Sequence, residues 1–271
     1  MARLSRKQKE RKVSLIIPAF KQAKTIKNDL IRIKKVMEKL RYDYEIIVVV
    51  DGKADKTFEN ASKVKSPKVI VTGYEHNHGK GHAIRFGIAR STGDIIAFID
   101  AGMDLNPNGL SLLLEHFEWY NADIIVGSKL HPVSKINYPF TRKLLSFGYR
   151  TIVRLMFGLS VRDTQVGMKF YRRQVLEDVL PRLLVKTYAF DVEILAVSYH
   201  LGYRRIFEAP VEINFNLTTS IISKGFWKII FYMLLDTAAV FYRLKILRYY
   251  DNGNKRKWKF DPELNFKVNL P

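Results

Sequence analysis

Apolar residues in the first half of the chain follow two alternating patterns. Short unbroken runs occur at Val13–Phe20 (VSLIIPAF), Glu45–Val50 (EIIVVV), Lys68–Thr72, Asp94–Ile99 and Asp123–Gly127. Between them, apolar positions return every three or four residues, as in Ile26, Leu30, Ile33, Met37 and Leu40. That spacing predicts a helix, and so do Lys80–Arg90 and Pro107–Tyr120, where Pro107 suits a first turn. Near-continuous Val/Ile runs are what strands covered on both faces look like. Their alternation with helices predicts an α/β fold: an open, mostly parallel sheet flanked by helices. In such sheets ligands bind beyond the carboxyl ends of the strands. This rule selects three polar clusters, Pro18–Lys21, Asp51–Asp55 and Asp100–Asp104.

The second half reads differently. Tyr138–Leu159 is a long helical pattern, Val166–Arg172 and Arg204–Phe215 resemble strands, and a helix near Phe190–Leu201 lies between them. Phe226–Tyr250 is a final helix rich in aromatic and aliphatic residues. The expected organisation is a basic flexible arm over 1–11, one α/β domain over 12–223 that includes an amphipathic helix at 138–160, an interfacial helix over 224–250 and a polar tail over 251–271. In the long helix Arg142, Ser146, Arg150 and Arg154 recur every four residues, opposite Leu144, Leu145, Ile152, Leu155 and Met156. A basic face opposite an apolar one suits an interfacial membrane helix or a phosphorylated lipid, and a solvated charged face gives the same pattern. Trp227 and its Phe and Tyr neighbours, with Lys and Arg at both helix ends, favour a headgroup region, while core packing also explains them. No stretch reaches the roughly 18 apolar residues of a spanning helix; Ile229–Tyr242 is shorter and contains Asp236. The expectation is a peripheral protein on the cytoplasmic face of a membrane, without a span.

Charge sharpens this picture. Among 271 residues, 46 Lys and Arg stand against 26 Asp and Glu, a net charge of +20. Such an excess predicts anionic partners: phosphorylated substrates, an acidic membrane surface or nucleic acid. The charges are scattered and no recognition-helix or RNA-binding motif appears, so nucleic acid is not the expected partner. Cysteine is absent, which excludes disulfides, thiolate metal sites and a cysteine nucleophile. Met1–Lys12 is basic and lacks the apolar core of a secretory signal.

Asp100-Ala-Gly-Met-Asp104 follows an apolar strand directly. A strand end leading into a turn can aim two carboxylates at one hard cation, Mg²⁺ or Mn²⁺, that also takes diphosphate oxygens; an ordinary turn has the same composition. Asp51 ends another strand, where its carboxylate suits a nucleobase imide or ribose hydroxyls. His78-Gly-Lys-Gly-His82 precedes a helix whose N–H groups, with Lys80, favour anions. His76, His78 and His82 match no metal-ligand spacing and read as surface loop histidines. Asp163 and Asp191 are acids without an assigned partner.

In order along the chain, VSLIIPAF, IIVVVDGKADKT, HNHGKGHAIRFGIARSTGDIIAFIDAG, the Tyr138-Pro139 to Ser146 segment, DTQVGMKFYRR and MLLDTAAVFYRL resemble the family 2 glycosyltransferases with the GT-A fold. The resemblance is to the branch that includes dolichyl-phosphate mannose synthase and the polyprenyl-phosphate glycosyltransferases, and it covers roughly Lys12 to Arg248. It implies that Pro18, Ala19, Phe20, Asp51, Lys80, Asp100 and Ala101 bind the nucleotide-sugar. It implies a metal at Asp100 and Asp104, an acceptor phosphate at Arg142, Ser146 and Lys169, and Gln165, in the D-x-Q-x-G element, beside the acceptor. Catalysis would fall to Asp100, Asp104, Arg142 and Gln165. The chain departs from the family where Val50-Asp51 replaces paired acids, where Gly102 replaces the second acid of D-A-D, and where Lys169 stands in place of arginine.

The implied activity is inverting transfer of a hexose from a nucleotide-diphosphate sugar, of the GDP-mannose or UDP-glucose type, to a polyprenyl (dolichyl) phosphate, assisted by Mg²⁺ or Mn²⁺. Two alternatives are transfer to a glycan or other hydroxyl, with Asp191 or Asp163 as base, and a degenerate homologue that only binds nucleotide. Sugar identity and oligomeric state are not legible.

Overall fold

The computed structural model describes residues 11–134, 140–187, 189–213, 226–254, 257–262, 264 and 266–270. The Val/Ile runs become strands β1 (Lys12–Ala19), β2 (Asp43–Asp51), β3 (Val69–Tyr74), β4 (Ile95–Ile99), β5 (Ile124–Ser128), β6 (Met168–Arg172) and β7 (Ile206–Pro210). They form one sheet in the order β3-β2-β1-β4-β6-β5-β7. β1 runs parallel to β2 and β4, β2 to β3, and β5 to β7. β6 alone is antiparallel, between β4 and β5. Every residue of β2 except Asp43 is buried, the signature of a strand covered on both faces.

Helices α1 (Ile26–Met37), α2 (Thr57–Ser62), α3 (Lys80–Ala89), α4 (Gly109–Trp119), α5 (Phe140–Phe157), α6 (Arg173–Val179), α7 (Phe190–His200) and α8 (Phe226–Phe241) follow in chain order. α1 buries Ile26, Leu30, Ile33 and Met37, the stripe its spacing predicts. α7 is different, because Phe190 through Ser198 are all buried. A helix buried all round carries Asp191 and Glu193 inside with it, and buried charges must be paired.

Three features were not expected. α2 and α6 are 6 and 7 residues long, too short to display a helical period. The final helix stops at Phe241 and continues as a single π turn, Tyr242–Ile246. Within the polar tail, β8 (Lys257–Asp261) and β9 (Phe266–Leu270) pair as an antiparallel hairpin, and β9 packs against the short turn Leu180–Arg182. Among the described residues no helix is long and apolar enough to cross a membrane.

Candidate active site

The carboxyl ends of β1, β2 and β4 open onto a cleft of about 560 Å³. Its wall brings together Pro18, Ala19, Phe20, Asp51, Lys80, Asp100, Ala101 and Gln165, all selected from the sequence, with Gln22, Asn77, Gly79, Thr187 and Asp191. Phe20 is 39% exposed, so its ring offers the cleft an apolar face.

Asp51 ends β2 beside Tyr74 of β3. Its carboxylate accepts hydrogen bonds from the Tyr74 hydroxyl (2.9 Å), Asn77 Nδ2 (2.8 Å) and the backbone N–H groups of His78 (2.8 Å) and Gly79 (3.0 Å). One acid thus pins the loop before α3 to the sheet edge. His76 and His78 are exposed as expected, but His82 is not a surface residue. It is 5% exposed, its ring edge-on to that of Tyr74 and next to Phe86, because it faces inward from the first turn of α3.

Behind the cleft runs a line of alternating charge. Lys80 Nζ sits 2.9 Å from Asp100 Oδ1, donates to Asp100 Oδ2 at 3.1 Å, and reaches Asp191 Oδ2 at 3.2 Å. Asp191 Oδ1 in turn accepts from Lys169 Nζ, which also donates to the Val166 carbonyl at 2.6 Å. Burial opposes charge on Asp191, yet Lys169 and Lys80 together hold its carboxyl below the usual carboxylate range. Burial likewise opposes the Lys80 ammonium, and Asp100 and Asp191 outweigh it, keeping the lysine firmly protonated.

Asp100 is held by its backbone, whose N–H donates to the Gly167 carbonyl at 2.9 Å. Gly167 approaches so closely that a β-carbon there would overlap the Asp100 carboxylate. The glycine of D-x-Q-x-G therefore makes room for the acid at the end of β4.

A smaller pocket of about 140 Å³ adjoins the cleft, lined by Lys129, Ser146, Tyr149, Arg150, Arg162, Asp163 and Gln165, among others. Three cations against one acid make it an anion site in character. Asp163 is engaged, accepting from the Lys129 N–H at 3.0 Å. Burial pushes the Tyr149 hydroxyl up to about 12, so it remains a donor near neutral pH. Gln165 lines both cavities and forms the wall between them, beside the Tyr149 hydroxyl.

Three other sequence-selected residues lie elsewhere. Lys169 is fully buried behind Asp191 and lines neither cavity. Asp104 is exposed and is not on the cleft wall. Arg142 falls within α5, but its side chain lies outside the described residues, as do residues 1–10 of the expected basic arm. Among the described residues no three His, Asp or Glu side chains gather as a cation cage. Asp100 Oδ1 faces the Lys80 ammonium at 2.9 Å, so a cation bound there would share that oxygen with the lysine or displace it. That donor set fits a divalent cation only if a bound diphosphate supplies most of its oxygens, a common arrangement for Mg²⁺.

Lys129, Arg162, Asn77 and Thr187 were not anticipated. Lys129 directly follows β5, so the strand-end rule could have found it. Arg162 and Thr187 stand in segments without periodicity and carried no signal.

An open α/β sheet with a polar cleft at its strand ends and an anion pocket alongside defines a ligand-binding site suited to phosphorylated molecules. The sequence profile described as Glycosyl transferase family 2 matches residues 14–180, and the chain belongs to that family. It is 31% identical over 256 residues to a human dolichyl-phosphate beta-glucosyltransferase, covering 88% of this chain and 76% of the relative. It is 28% identical to the Dictyostelium discoideum protein of the same name, covering 70% of this chain and 63% of that one. The match to that relative therefore spans less than two thirds of its length. Among solved structures, mannosyl-3-phosphoglycerate synthase from Rubrobacter xylanophilus aligns with a TM-score of 0.67 at 16% identity, over 96% of this chain and 86% of that one. Glucosyl-3-phosphoglycerate synthase from Mycobacterium tuberculosis, in complex with Mn²⁺, UDP-glucose and phosphoglyceric acid, aligns with 0.63 at 17%, over 96% and 87%. These likenesses establish the GT-A-type fold.

Proposed function

We propose that the chain transfers a hexose from a nucleotide-diphosphate sugar to a polyprenyl phosphate, with inversion at the anomeric carbon. The observation that carries this reading is the shared wall at Gln165: a nucleotide-sized cleft and a basic, phosphate-sized pocket meet at one side chain. The names of the curated relatives favour glucose and dolichyl phosphate.

The donor's base and ribose would lie against Pro18, Ala19 and Phe20, in the loop frame that Asp51 holds. Its diphosphate would lie beside Lys80 and Asp100. The acceptor phosphate would sit among Lys129, Ser146, Arg150 and Arg162. A phosphate oxygen attacks the anomeric carbon on the face opposite the diphosphate; the new C–O bond forms as the bond to the leaving nucleoside diphosphate breaks. The acceptor oxygen is already anionic, so the step needs no general base. This accords with Asp191, whose depressed pKa makes it a poor one. Rate then comes from positioning and from the Lys80 charge beside the leaving group. Asp100 Oδ1, with diphosphate oxygens, would hold a Mg²⁺ or Mn²⁺ ion, which adds Lewis-acid neutralisation of the leaving diphosphate.

α5 and α8 expose Phe147, Leu155, Phe231 and Leu235, and basic residues such as Arg154 and Lys228 lie on the same helices. This suits peripheral attachment to an anionic membrane surface, from which a lipid phosphate would enter.

The test is incubation of the purified chain with radiolabelled UDP-glucose or GDP-mannose, polyprenyl phosphate and Mn²⁺, with and without chelator. The expected result is label extracted into organic solvent. Label only in water-soluble products would refute the lipid-phosphate acceptor.

A further inference from the structure

α8 is apolar along most of its length, yet it carries an acid and a threonine side by side, Asp236 and Thr237. Both are engaged within the fold. The Thr187 hydroxyl donates to Asp236 Oδ2 at 2.9 Å, and Thr187 is a wall residue of the donor cleft. Thr237 is 1% exposed and gives its only hydroxyl proton to the Met233 carbonyl at 2.7 Å. Its contact with Tyr149 at 2.9 Å must therefore be one in which Tyr149 donates. Tyr149 lines the anion pocket. Adjacent residues of one helix thus grip one wall of each cavity.

The Thr187 end continues into the site. Lys186, its neighbour, accepts from the Gly81 N–H at 3.0 Å, at the start of the helix that carries Lys80. The same loop is tied to α7, where Glu193 accepts from the N–H groups of Leu184 (3.1 Å) and Val185 (2.9 Å). A displacement of α8 would be passed by Thr187 to the backbone that places Lys80. The outer face of α8 meanwhile presents Phe231, Tyr232 and Leu235, all about half exposed or more. Lys228 lies on this helix, and Lys245 and Arg248 follow it, so the complementary surface is an anionic phospholipid bilayer.

We propose that α8 couples contact with an anionic bilayer to assembly of the donor cleft, with Asp236 and Thr237 as the positioning residues. This rests on the glycosyl-transfer reading only for what the cleft binds. Linkage requires the coupling to be reciprocal: lipid tightens nucleotide binding, and nucleotide tightens lipid binding by the same factor.

The experiment uses the full chain with phosphatidylcholine vesicles, with or without phosphatidylserine. Two readouts are taken, amide exchange at Gly81, Leu184 and Val185, and affinity for UDP and for GDP in the presence of Mn²⁺. In the wild type, phosphatidylserine vesicles should slow exchange at those amides and tighten binding of one nucleotide roughly tenfold. Asp236→Ala and Thr237→Val should still sediment with the vesicles but lose both effects, whereas Thr237→Ser should keep them. Unchanged exchange in the wild type, failure of the wild type to sediment, or full slowing in Asp236→Ala would overturn the coupling. Slowing that depends on Asp236, with neither nucleotide bound, would uphold the coupling and overturn the glycosyl-transfer reading instead.

Discussion

At Lys80 two carboxylates share one ammonium, and the consequences can be separated by substitution. Lys80→Ala leaves Asp191 paired with Lys169, so the fold should survive while transfer falls by roughly 10²–10³-fold, the usual cost of removing a charge-stabilising group. Initial rates at saturating acceptor, with circular dichroism as the fold control, measure this. Gly167→Ala drives a β-carbon into the Asp100 carboxylate; it should cost about 1–3 kcal/mol in urea unfolding and abolish transfer. The acid limb of stability also has residue-level causes. Burial opposes charge on Glu45, but the Lys12 ammonium, the Ser14 hydroxyl and the Thr92 N–H together hold it below the usual range. Its folded pKa lies under its unfolded one, as for Asp191, so the unfolded chain binds more protons in between. The stabilisation is present above the ordinary carboxylate pKa and is lost as pH falls through the depressed values. Urea midpoints should therefore drop between about pH 5 and pH 2, and Glu45→Gln should flatten that slope.

Two elements set the site's shape. The loop between β3 and α3 is held mainly by one side chain, Asp51, which answers four donors, and at its start by Glu75 paired with Lys53. Asp51→Ala leaves those donors to water or to nothing; urea unfolding should show a loss of about 2–4 kcal/mol, with weaker nucleotide binding. Asp51→Asn, which still accepts at one oxygen, should lose less. α7 is the second element. Burial of its residues Phe190 through Ser198 turned Asp191, an acid with no assigned partner in the sequence, into the counter-ion of two lysines. Elements were legible where they were long enough to show a period. Seven strands and α1, α3, α4, α5, α7 and α8 were read from apolar spacing. α2 and α6 span less than two full turns and show none. In the tail, Trp258 and Phe260 alternate with lysines, as do Phe266, Val268 and Leu270 with Lys267 and Asn269, but five-residue runs amid charge read as a polar segment.

Across the whole molecule, the net charge of +20 is scattered along the chain rather than gathered in one recognition helix. Binding to anionic vesicles should therefore weaken steadily as salt rises, since a Debye length of about 8 Å at physiological ionic strength shrinks to about 3 Å at 1 M. Arg150 and Arg162 sit in the anion pocket, and Arg150→Ala with Arg162→Ala should raise the KM for polyprenyl phosphate while leaving vesicle sedimentation nearly unchanged. A parallel loss of both would mean that these arginines serve the membrane surface rather than the acceptor.

The sequence by itself determined the strands, the order in which they arise and the residues at their carboxyl ends, because strand burial and strand termination are written in a few consecutive residues. It therefore located Pro18, Asp51 and Asp100 at one edge, while Lys80 was read from the glycine-rich turn that opens a helix. Only the tertiary structure decided which charges meet. Lys80 and Asp191 are 111 residues apart, and Tyr149 and Thr237 are 88 apart. No local pattern encodes such pairs, since they exist only once α3, α5, α7 and α8 are packed. The same packing placed Lys169 behind the cleft and Lys129 and Arg162 in the pocket beside it, a distinction between buried counter-ion and pocket-lining cation that residue type alone does not carry.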